Sequence, residues 1–155
     1  MSTLQKEMLQ NLIAVPDGKF VGQASYYIAE GENKAGNSAK ALEYVNKALT
    51  VGPDAAYAES ALAMKAGLLM KSGDREEAKA TYEKLLKKAS NEDSKALAMV
   101  GLLRYYHSLG NSNKSIEYAN EIAGLPLDRA TKEEVTYIKA FAYSSKGDKE
   151  QAVAE

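Results

Sequence analysis

Few side chains in this sequence could carry out covalent chemistry. The chain has no cysteine and a single histidine, His107. Disulfides, thiolate metal sites, cysteine nucleophiles and multi-histidine metal sites are therefore excluded. A histidine that acts as a general base needs a nucleophile or an orienting acid beside it, and the spacing of residues around His107 supplies neither. We expect His107 to be a partly exposed helical residue that could hydrogen-bond a partner.

Two pairs of neighbouring carboxylates, Glu76-Glu77 and Glu133-Glu134, could in principle do acid–base work. Both fall in the first turn of a predicted helix, where the helix dipole favours negative charge, so a structural role explains them. The sequence contains no GxxxxGK[ST] loop for phosphate, no GxSxG or HExxH motif and no EF-hand pattern. It therefore predicts no enzyme, no cofactor and no metal.

The composition is that of one globular domain. The chain has 155 residues, 45% of them hydrophobic and 26% charged, which is close to the average for folded proteins. Lys and Arg number 20 and Asp and Glu number 21, for a net charge of -1. Nucleic-acid binders normally carry a basic excess, so this balance argues against a nucleic-acid partner. No apolar run reaches eighteen residues, which predicts no membrane insertion.

The first fifteen residues do not resemble a secretory signal, because polar residues interrupt the apolar ones. Leu4, Met8 and Leu12 instead recur at every fourth position, which indicates an amphipathic helix. Pro16-Asp17-Gly18 is expected to end it. If this start is native we expect a cytoplasmic protein, whereas a fragment of a longer chain could come from the bacterial periplasm or cell envelope.

A repeat of fixed period organises the chain. Gly36, Gly73, Gly110 and Gly147 follow one another at intervals of 37 residues, and each precedes Asn or Asp. The residues five positions after each glycine are all small: Ala41, Ala78, Ser115 and Ala152. Those seven positions before are Ala29, Ala66, Leu103 and Ala140, and those four before are Glu32, Leu69, Tyr106 and Tyr143. We call each such set of equivalent positions a column. Similar residues in the same columns at a fixed period predict tandem structural repeats.

Each repeat is interpreted as two helices that meet at the glycine. Glycine supplies the left-handed conformation that closes a helix, and the next Asn or Asp can cap the following helix. Asp74 with Glu77 and Asp148 with Gln151 have capping-box spacing, and Thr131 with Glu134 is predicted to start a helix in the same way. Helices are expected near 3–15, 19–31, 38–51, 55–72, 75–89, 95–109, 112–123, 132–146 and from 149 onward. An irregular loop is expected near Glu30 to Ala35.

This arrangement resembles the tetratricopeptide repeat (TPR) family. Its most specific stretch, Ala61 to Leu86, carries Leu62, Ala66, Leu69, Gly73-Asp74, Ala78, Tyr82 and Leu85 at the positions of the family pattern. The resemblance covers about 130 residues and implies an all-α fold, a right-handed α-solenoid of antiparallel helix pairs. The period of 37 is three residues longer than the usual 34, which longer helices accommodate.

The domain organisation follows from the repeats. We expect a single solenoid domain over 1–155, with a leading helix at 3–18, helix pairs at 19–54, 55–93 and 94–130, and an incomplete last pair at 131–155. The leading helix resembles the second helix of an earlier pair. Because solenoids normally end in polar capping repeats, the sequence predicts a fragment of a longer array or an end that packs on something else.

The resemblance also implies where a partner would bind, because first helices line the concave groove in this family. Seven groove residues are predicted: Tyr26, Lys71, Val100, Arg104, His107, Tyr137 and Phe141. Tyr137 and Phe141 are four residues apart and share a helix face, and aromatic residues and arginine dominate interface energies. The alternative for Phe141 is packing against a further repeat.

The predicted function is a non-catalytic protein-interaction scaffold. It would bind a peptide or a helix of a protein partner in this groove. The carboxylate clamp of one TPR subfamily is absent, because its first Lys and Asn correspond to Tyr26 and Glu30. The alternative function is a structural or assembly module of a larger multi-repeat or bacterial cell-envelope protein, which packs on its own chain or forms a homo-oligomer.

Overall fold

The computed structural model describes residues 2–14 and 20–154, and within them every regular element is an α-helix. The helices are α1 (Thr3–Ala14), α2 (Val21–Lys34), α3 (Ser38–Val51), α4 (Ala58–Ser72), α5 (Arg75–Lys88), α6 (Glu92–Ser108), α7 (Ser112–Ile122) and α8 (Arg129–Ala154). The predicted all-α class is confirmed. The predicted stop at Pro16-Asp17-Gly18 lies outside the described residues. None of the described helices is both long and apolar enough to cross a bilayer.

Three of the four repeat glycines form the turn that their chemistry predicts. Gly36, Gly73 and Gly110 have φ values of 84°, 92° and 69°, a region that side chains with a Cβ rarely adopt. In each turn the amide that follows the glycine donates to a carbonyl five residues earlier, from Asn37 to Glu32, Asp74 to Leu69 and Asn111 to Tyr106. This is the Schellman closure, and the 37-residue period is therefore a repeat of one local structure.

The helix caps follow the prediction only in part. The Asn111 side chain accepts from the Lys114 amide at 3.1 Å and caps α7. Asn37 precedes α3, but its side-chain Nδ2 donates to the Glu32 carboxylate at 2.7 Å and does not cap the helix. The predicted start at Thr131 is wrong, because α8 begins at Arg129 and the Asp128 carboxylate accepts from the Thr131 amide at 2.7 Å. That bond holds the pKa of Asp128 below its usual value.

The chain divides into two compact units, Met1–Asp74 and Arg75–Glu155. In the first unit α1 packs on α2, α2 on α3 and α3 on α4. Its core joins Ala29 of α2, Val45 of α3 and Ala61 of α4, all with no exposed surface. All three side chains are small or medium-sized, which lets neighbouring helix axes approach closely.

In the second unit α5 packs on α6, α6 on α7 and α7 on α8, and α6 also contacts α8. The core contains Met99, Val100, Leu103, Ala119, Ile122, Val135 and Ile138. Beside this core the buried ring of Tyr82 on α5 packs against Gly101 on α6, so closely that a Cβ at Gly101 would overlap three atoms of the ring. Burial raises the pKa of the Tyr82 phenol.

The irregular loop expected near Glu30 to Ala35 is wrong, because α2 continues to Lys34. The cause is Glu32, whose side chain is 3% exposed at a position where the other repeats have a large apolar residue. Its carboxylate accepts from Lys6 of α1 at 2.5 Å and from Asn37 at 2.7 Å. These two bonds, Lys6 first, lower the pKa of Glu32 and replace the apolar contacts that the column lacks.

The helix break predicted at Gly147 is also wrong, because α8 runs from Arg129 through to Ala154 without interruption. A continuous helix keeps the backbone hydrogen bonds that a turn at Gly147 would interrupt. Two columns consequently change environment in α8. Ala140 is exposed and Tyr143 is 52% exposed, although both were expected in the core.

Candidate functional site

The second unit places four of the predicted groove residues side by side. Arg104 and His107 stand one turn apart on α6, and Tyr137 and Phe141 stand one turn apart on α8. The buried stripe of α8, formed by Val135, Ile138 and Ala142, fixes the rotation of that helix by packing into the core. We call the group Arg104, His107, Glu134, Tyr137 and Phe141 the aromatic patch; His107 and Glu134 are half-buried and the other three residues are exposed.

The charged edge of the aromatic patch is a bidentate ion pair. Arg104 donates from Nε to Glu134 Oε2 at 2.9 Å and from Nη2 to Glu134 Oε1 at 2.6 Å. These bonds raise the pKa of the Arg104 guanidinium. The side chains are 46% and 37% exposed, and pairs in that setting contribute about 1 kcal/mol or less to stability. The pair therefore serves mainly to hold the guanidinium in one orientation between α6 and α8.

The apolar part of the patch consists of three rings in contact. The His107 ring meets Phe141 edge-on, with centroids 5.3 Å apart and planes at 88°, and meets Tyr137 at 6.4 Å and 83°. The Tyr137 and Phe141 centroids are 6.2 Å apart. Tyr137 is 61% exposed and Phe141 is 47% exposed. Much of two large aromatic surfaces is thus held in fixed orientation and remains open to solvent.

Val100 was predicted to line the groove, and the structure corrects this. Its side chain is 6% exposed and belongs to the core with Val135 and Ile138 of α8. The reason is that α8 packs beside α6 and covers this position. Val100 supports the patch from beneath and is not available to a partner.

The two remaining predicted residues, Tyr26 and Lys71, belong to the first unit. Lys71 is exposed near the end of α4. Tyr26 is half-buried, and its ring stacks on Tyr57 with centroids 5.7 Å apart and planes at 14°. Burial, and then the negative charge of Glu30, raise the pKa of the Tyr26 phenol. Tyr26 is therefore part of a packed aromatic pair, and its place in a groove stays a prediction.

The first unit contains an aromatic recess that the sequence did not predict. A recess of about 620 Å³ in the first unit is lined by aromatic residues from three segments, among them Phe20, Tyr26, Tyr27 and Tyr57. Tyr57 lies against Gly22 and Gly52, where a Cβ would meet its hydroxyl group, and it donates to the Ala48 carbonyl at 2.8 Å. The signal in the sequence was the Tyr26-Tyr27 pair, which begins four residues after Gly22, whereas Gly52 and Tyr57 join it only in the folded chain.

The arrangement of the second unit suits recognition rather than bond-breaking. In the part of the chain that the structure describes, no three His, Asp or Glu side chains come close enough together to hold a metal ion. Arg104 is already paired with the Glu134 carboxylate, and the His107 ring contacts the rings of Tyr137 and Phe141. The aromatic patch can offer stacking surface, one oriented cation and a histidine donor to a ligand, and these are the contacts that dominate protein interfaces.

Helix pairs closed by the same glycine turn at a fixed 37-residue interval, with short connections and core columns shared between consecutive helices, define a tandem helical-repeat domain. The profile of one such family, described as the SusR N-terminal TPR domain, matches residues 4–154. The chain belongs to this family, and the predicted TPR assignment is confirmed. A search of curated proteins gave no match. TPR domains generally act in protein interaction and are generally non-catalytic.

Proposed function

We propose that this chain is a non-catalytic interaction module that binds a peptide or a helix of a partner protein on the aromatic patch. The observation that carries the proposal is the exposed ring cluster of His107, Tyr137 and Phe141 beside an oriented Arg104. Aromatic and arginine side chains that become buried when a partner binds contribute most of the energy of protein interfaces. The family assignment supports the same class of function.

The chemistry of the patch indicates what it would bind. Two aromatic faces favour an apolar or aromatic side chain as the anchor. Arg104 and Glu134 already neutralise each other, so the ligand needs no net charge, and it gains most from backbone carbonyls that accept from exposed guanidinium hydrogens. We infer that the ligand is a short amphipathic segment with one large apolar anchor.

The experiment selects ligands from a displayed library of random peptides on the wild-type chain and then measures their Kd with variants. Phe141→Ala and Tyr137→Ala are expected to weaken binding about 30-fold, the effect of losing a hot spot of roughly 2 kcal/mol. Tyr143→Ala is the matched control, because Tyr143 is a 52% exposed tyrosine on the same helix outside the patch. It should change Kd less than about threefold.

Stability measurements separate a binding role from a structural one. Since Tyr137 and Phe141 are about half exposed, their replacement by alanine should change the free energy of unfolding by less than about 1 kcal/mol. A loss of roughly 3–5 kcal/mol would mean that both rings are buried in solution and would refute the patch as a binding surface. Selected peptides that bind every variant equally would refute it as well.

The second candidate function is an assembly module. The observation that favours it is the face of α8 with Ala140 and Tyr143, which belongs to core columns but is exposed. The matching family takes its description from an N-terminal domain, which supports a role as one part of a longer protein. Deletion of such a module would disrupt assembly of the parent protein, whereas Phe141→Ala would not.

A further inference from the structure

The aromatic recess of the first unit gathers apolar surface that the fold leaves open. Of the eleven large apolar side chains that are exposed in the described residues, three line it: Phe20, Tyr27 and Val51, at 52%, 46% and 53%. They come from the start of α2 and the end of α3, and Tyr26 and Tyr57 complete the wall. Its volume of about 620 Å³ lies in the range of sites that hold small molecules. The binding proposal for the aromatic patch makes no use of it.

The repeat architecture does not require this aromatic lining. Phe20 and Tyr57 occupy one column, 37 residues apart, and the later repeats have Ser94 and Thr131 in that column. Helix pairs of the same kind therefore form with small hydroxyl side chains at this position. Rings that one repeat carries and the others fold without are better explained by a site than by the scaffold.

The wall of the recess is held in one geometry. The Tyr57 ring lies against Gly22 and Gly52, where a Cβ would overlap its hydroxyl group, and that hydroxyl donates to a carbonyl of α3 at 2.8 Å. The Tyr26 ring stacks on Tyr57 with planes at 14°. The Tyr27 ring follows, with its centroid 5.9 Å from that of Tyr26 and planes at 50°. A ligand meets ring faces that are already ordered, so little conformational entropy is lost when it binds.

Charge complementarity decides the kind of ligand. None of the ten described residues that line the recess has a charged side chain, and a charged group placed there would lose hydration without gaining a partner. The polar side-chain groups of the lining are the Gln23 amide and the tyrosine hydroxyls, which are few. Most of the contact must come from ring faces, and these favour a second aromatic ring, stacked with an offset or placed edge-on.

We propose that the aromatic recess binds a small uncharged aromatic compound of one or two fused rings. The ring faces of Phe20, Tyr26 and Tyr27 supply the contact, and the anchored Tyr57 keeps the recess open. A compound of about nine heavy atoms is expected to bind with a Kd of about 0.1–1 mM, as compact apolar ligands of that size do.

The test compares three probes that share one ring system and differ in charge at pH 7: indole is neutral, tryptamine is a cation and indole-3-acetate is an anion. The chain has no tryptophan, so probe fluorescence can be followed selectively as protein is added. Indole should bind, and both charged probes should bind at least about fivefold more weakly because their charges have no partner. In the nuclear magnetic resonance spectrum of the wild type, indole should shift the amide signals of Gly22 and Gly52.

Variants assign the binding to the recess. Phe20→Ala and Tyr27→Ala should each weaken indole binding about 3- to 10-fold, the effect of losing one aromatic contact. Phe141→Ala and Tyr143→Ala are the matched controls, because they remove rings of similar exposure from α8. Neither control should change the Kd. The peptide-binding proposal can therefore fail without affecting this one.

Four results would overturn the proposal. Tighter binding of tryptamine would mean that ring faces and the Glu30 carboxylate attract a cation, and tighter binding of indole-3-acetate would mean an anion site at the start of α2. Weaker indole binding in Phe141→Ala would move the ligand to the aromatic patch. The fourth result is no binding up to about 10 mM indole. Circular dichroism checks the fold of each variant, and if one loses helicity the amide shifts of Gly22 and Gly52 in the wild type decide the question.

Discussion

Gly101 and Gly67 should respond in opposite ways to the same substitution. Both are interior residues of helices, α6 and α4, where alanine is favoured over glycine by about 1 kcal/mol. A Cβ at Gly67 would meet no atom within 4 Å, so only this gain applies. A Cβ at Gly101 would overlap three atoms of the Tyr82 ring. Tyr82 is 7% exposed and cannot swing into solvent.

The balance of these terms fixes the expected sign. Overpacking of a buried ring costs about 1–3 kcal/mol, occasionally more, against a helical gain of about 1 kcal/mol at Gly101. Gly101→Ala should therefore lower the free energy of unfolding by up to about 2 kcal/mol. Gly67→Ala should raise it by roughly 0.4–1 kcal/mol. In a chain of this size each 1 kcal/mol corresponds to about 2–4 °C in Tm.

Urea unfolding followed by helical circular dichroism measures both variants, and a third background identifies the cause. If the Tyr82 ring is the obstacle, Gly101→Ala should become neutral or stabilising in a Tyr82→Ala chain, because the two positions are coupled. The reasoning fails if Gly101→Ala stabilises as Gly67→Ala does. It fails equally if the cost of Gly101→Ala is the same with and without the ring.

Three further outcomes follow from local structure. Gly73→Ala should cost about 1–2 kcal/mol of unfolding free energy in thermal melts, because φ there is 92°. The bond from Lys6 lowers the pKa of the Glu32 carboxyl. This bond therefore stabilises the fold above the unfolded pKa of about 4.3, and its contribution is lost as pH falls through the lower folded pKa. Glu32→Gln should flatten this acid limb when the free energy of unfolding is measured against pH. The hydrogen bond to Glu76 and then burial raise the pKa of Tyr105 to about 12, so its contribution, present below pH about 10, should fade as pH rises toward that value. Tyr105→Phe should remove this alkaline dependence.

Local chemistry explains which parts of the fold the sequence predicts. The turns at Gly36, Gly73 and Gly110 depend on a conformation that glycine adopts at little cost, and the helices between them follow from apolar spacing. The same local argument failed at Gly147 and at Glu30 to Ala35. At Glu30 to Ala35 the outcome depends on a distant group, namely the contact of Lys6 with Glu32, and at Gly147 the helix simply continues to Ala154.

The candidate site was predictable to the same extent. The spacing of Tyr137 and Phe141 predicted a shared helix face and left open whether Phe141 is packed; in the structure the two rings are 61% and 47% exposed. The Arg104 to Glu134 pair joins residues 30 positions apart, so it depends on how α6 and α8 pack. Val100 differs from an exposed first-helix residue only because α8 covers it. A single-helix pattern does not contain that information.

Tyr137 shows why a repeat column does not by itself identify a binding surface. It stands 37 residues after Val100 and 111 after Tyr26, which are buried and half-buried, whereas Tyr137 is 61% exposed. Its ring contacts Phe141 and His107 in the aromatic patch. The same column is therefore core in one repeat and surface in another, and only the packing of the neighbouring helices decides which of its residues a partner can reach.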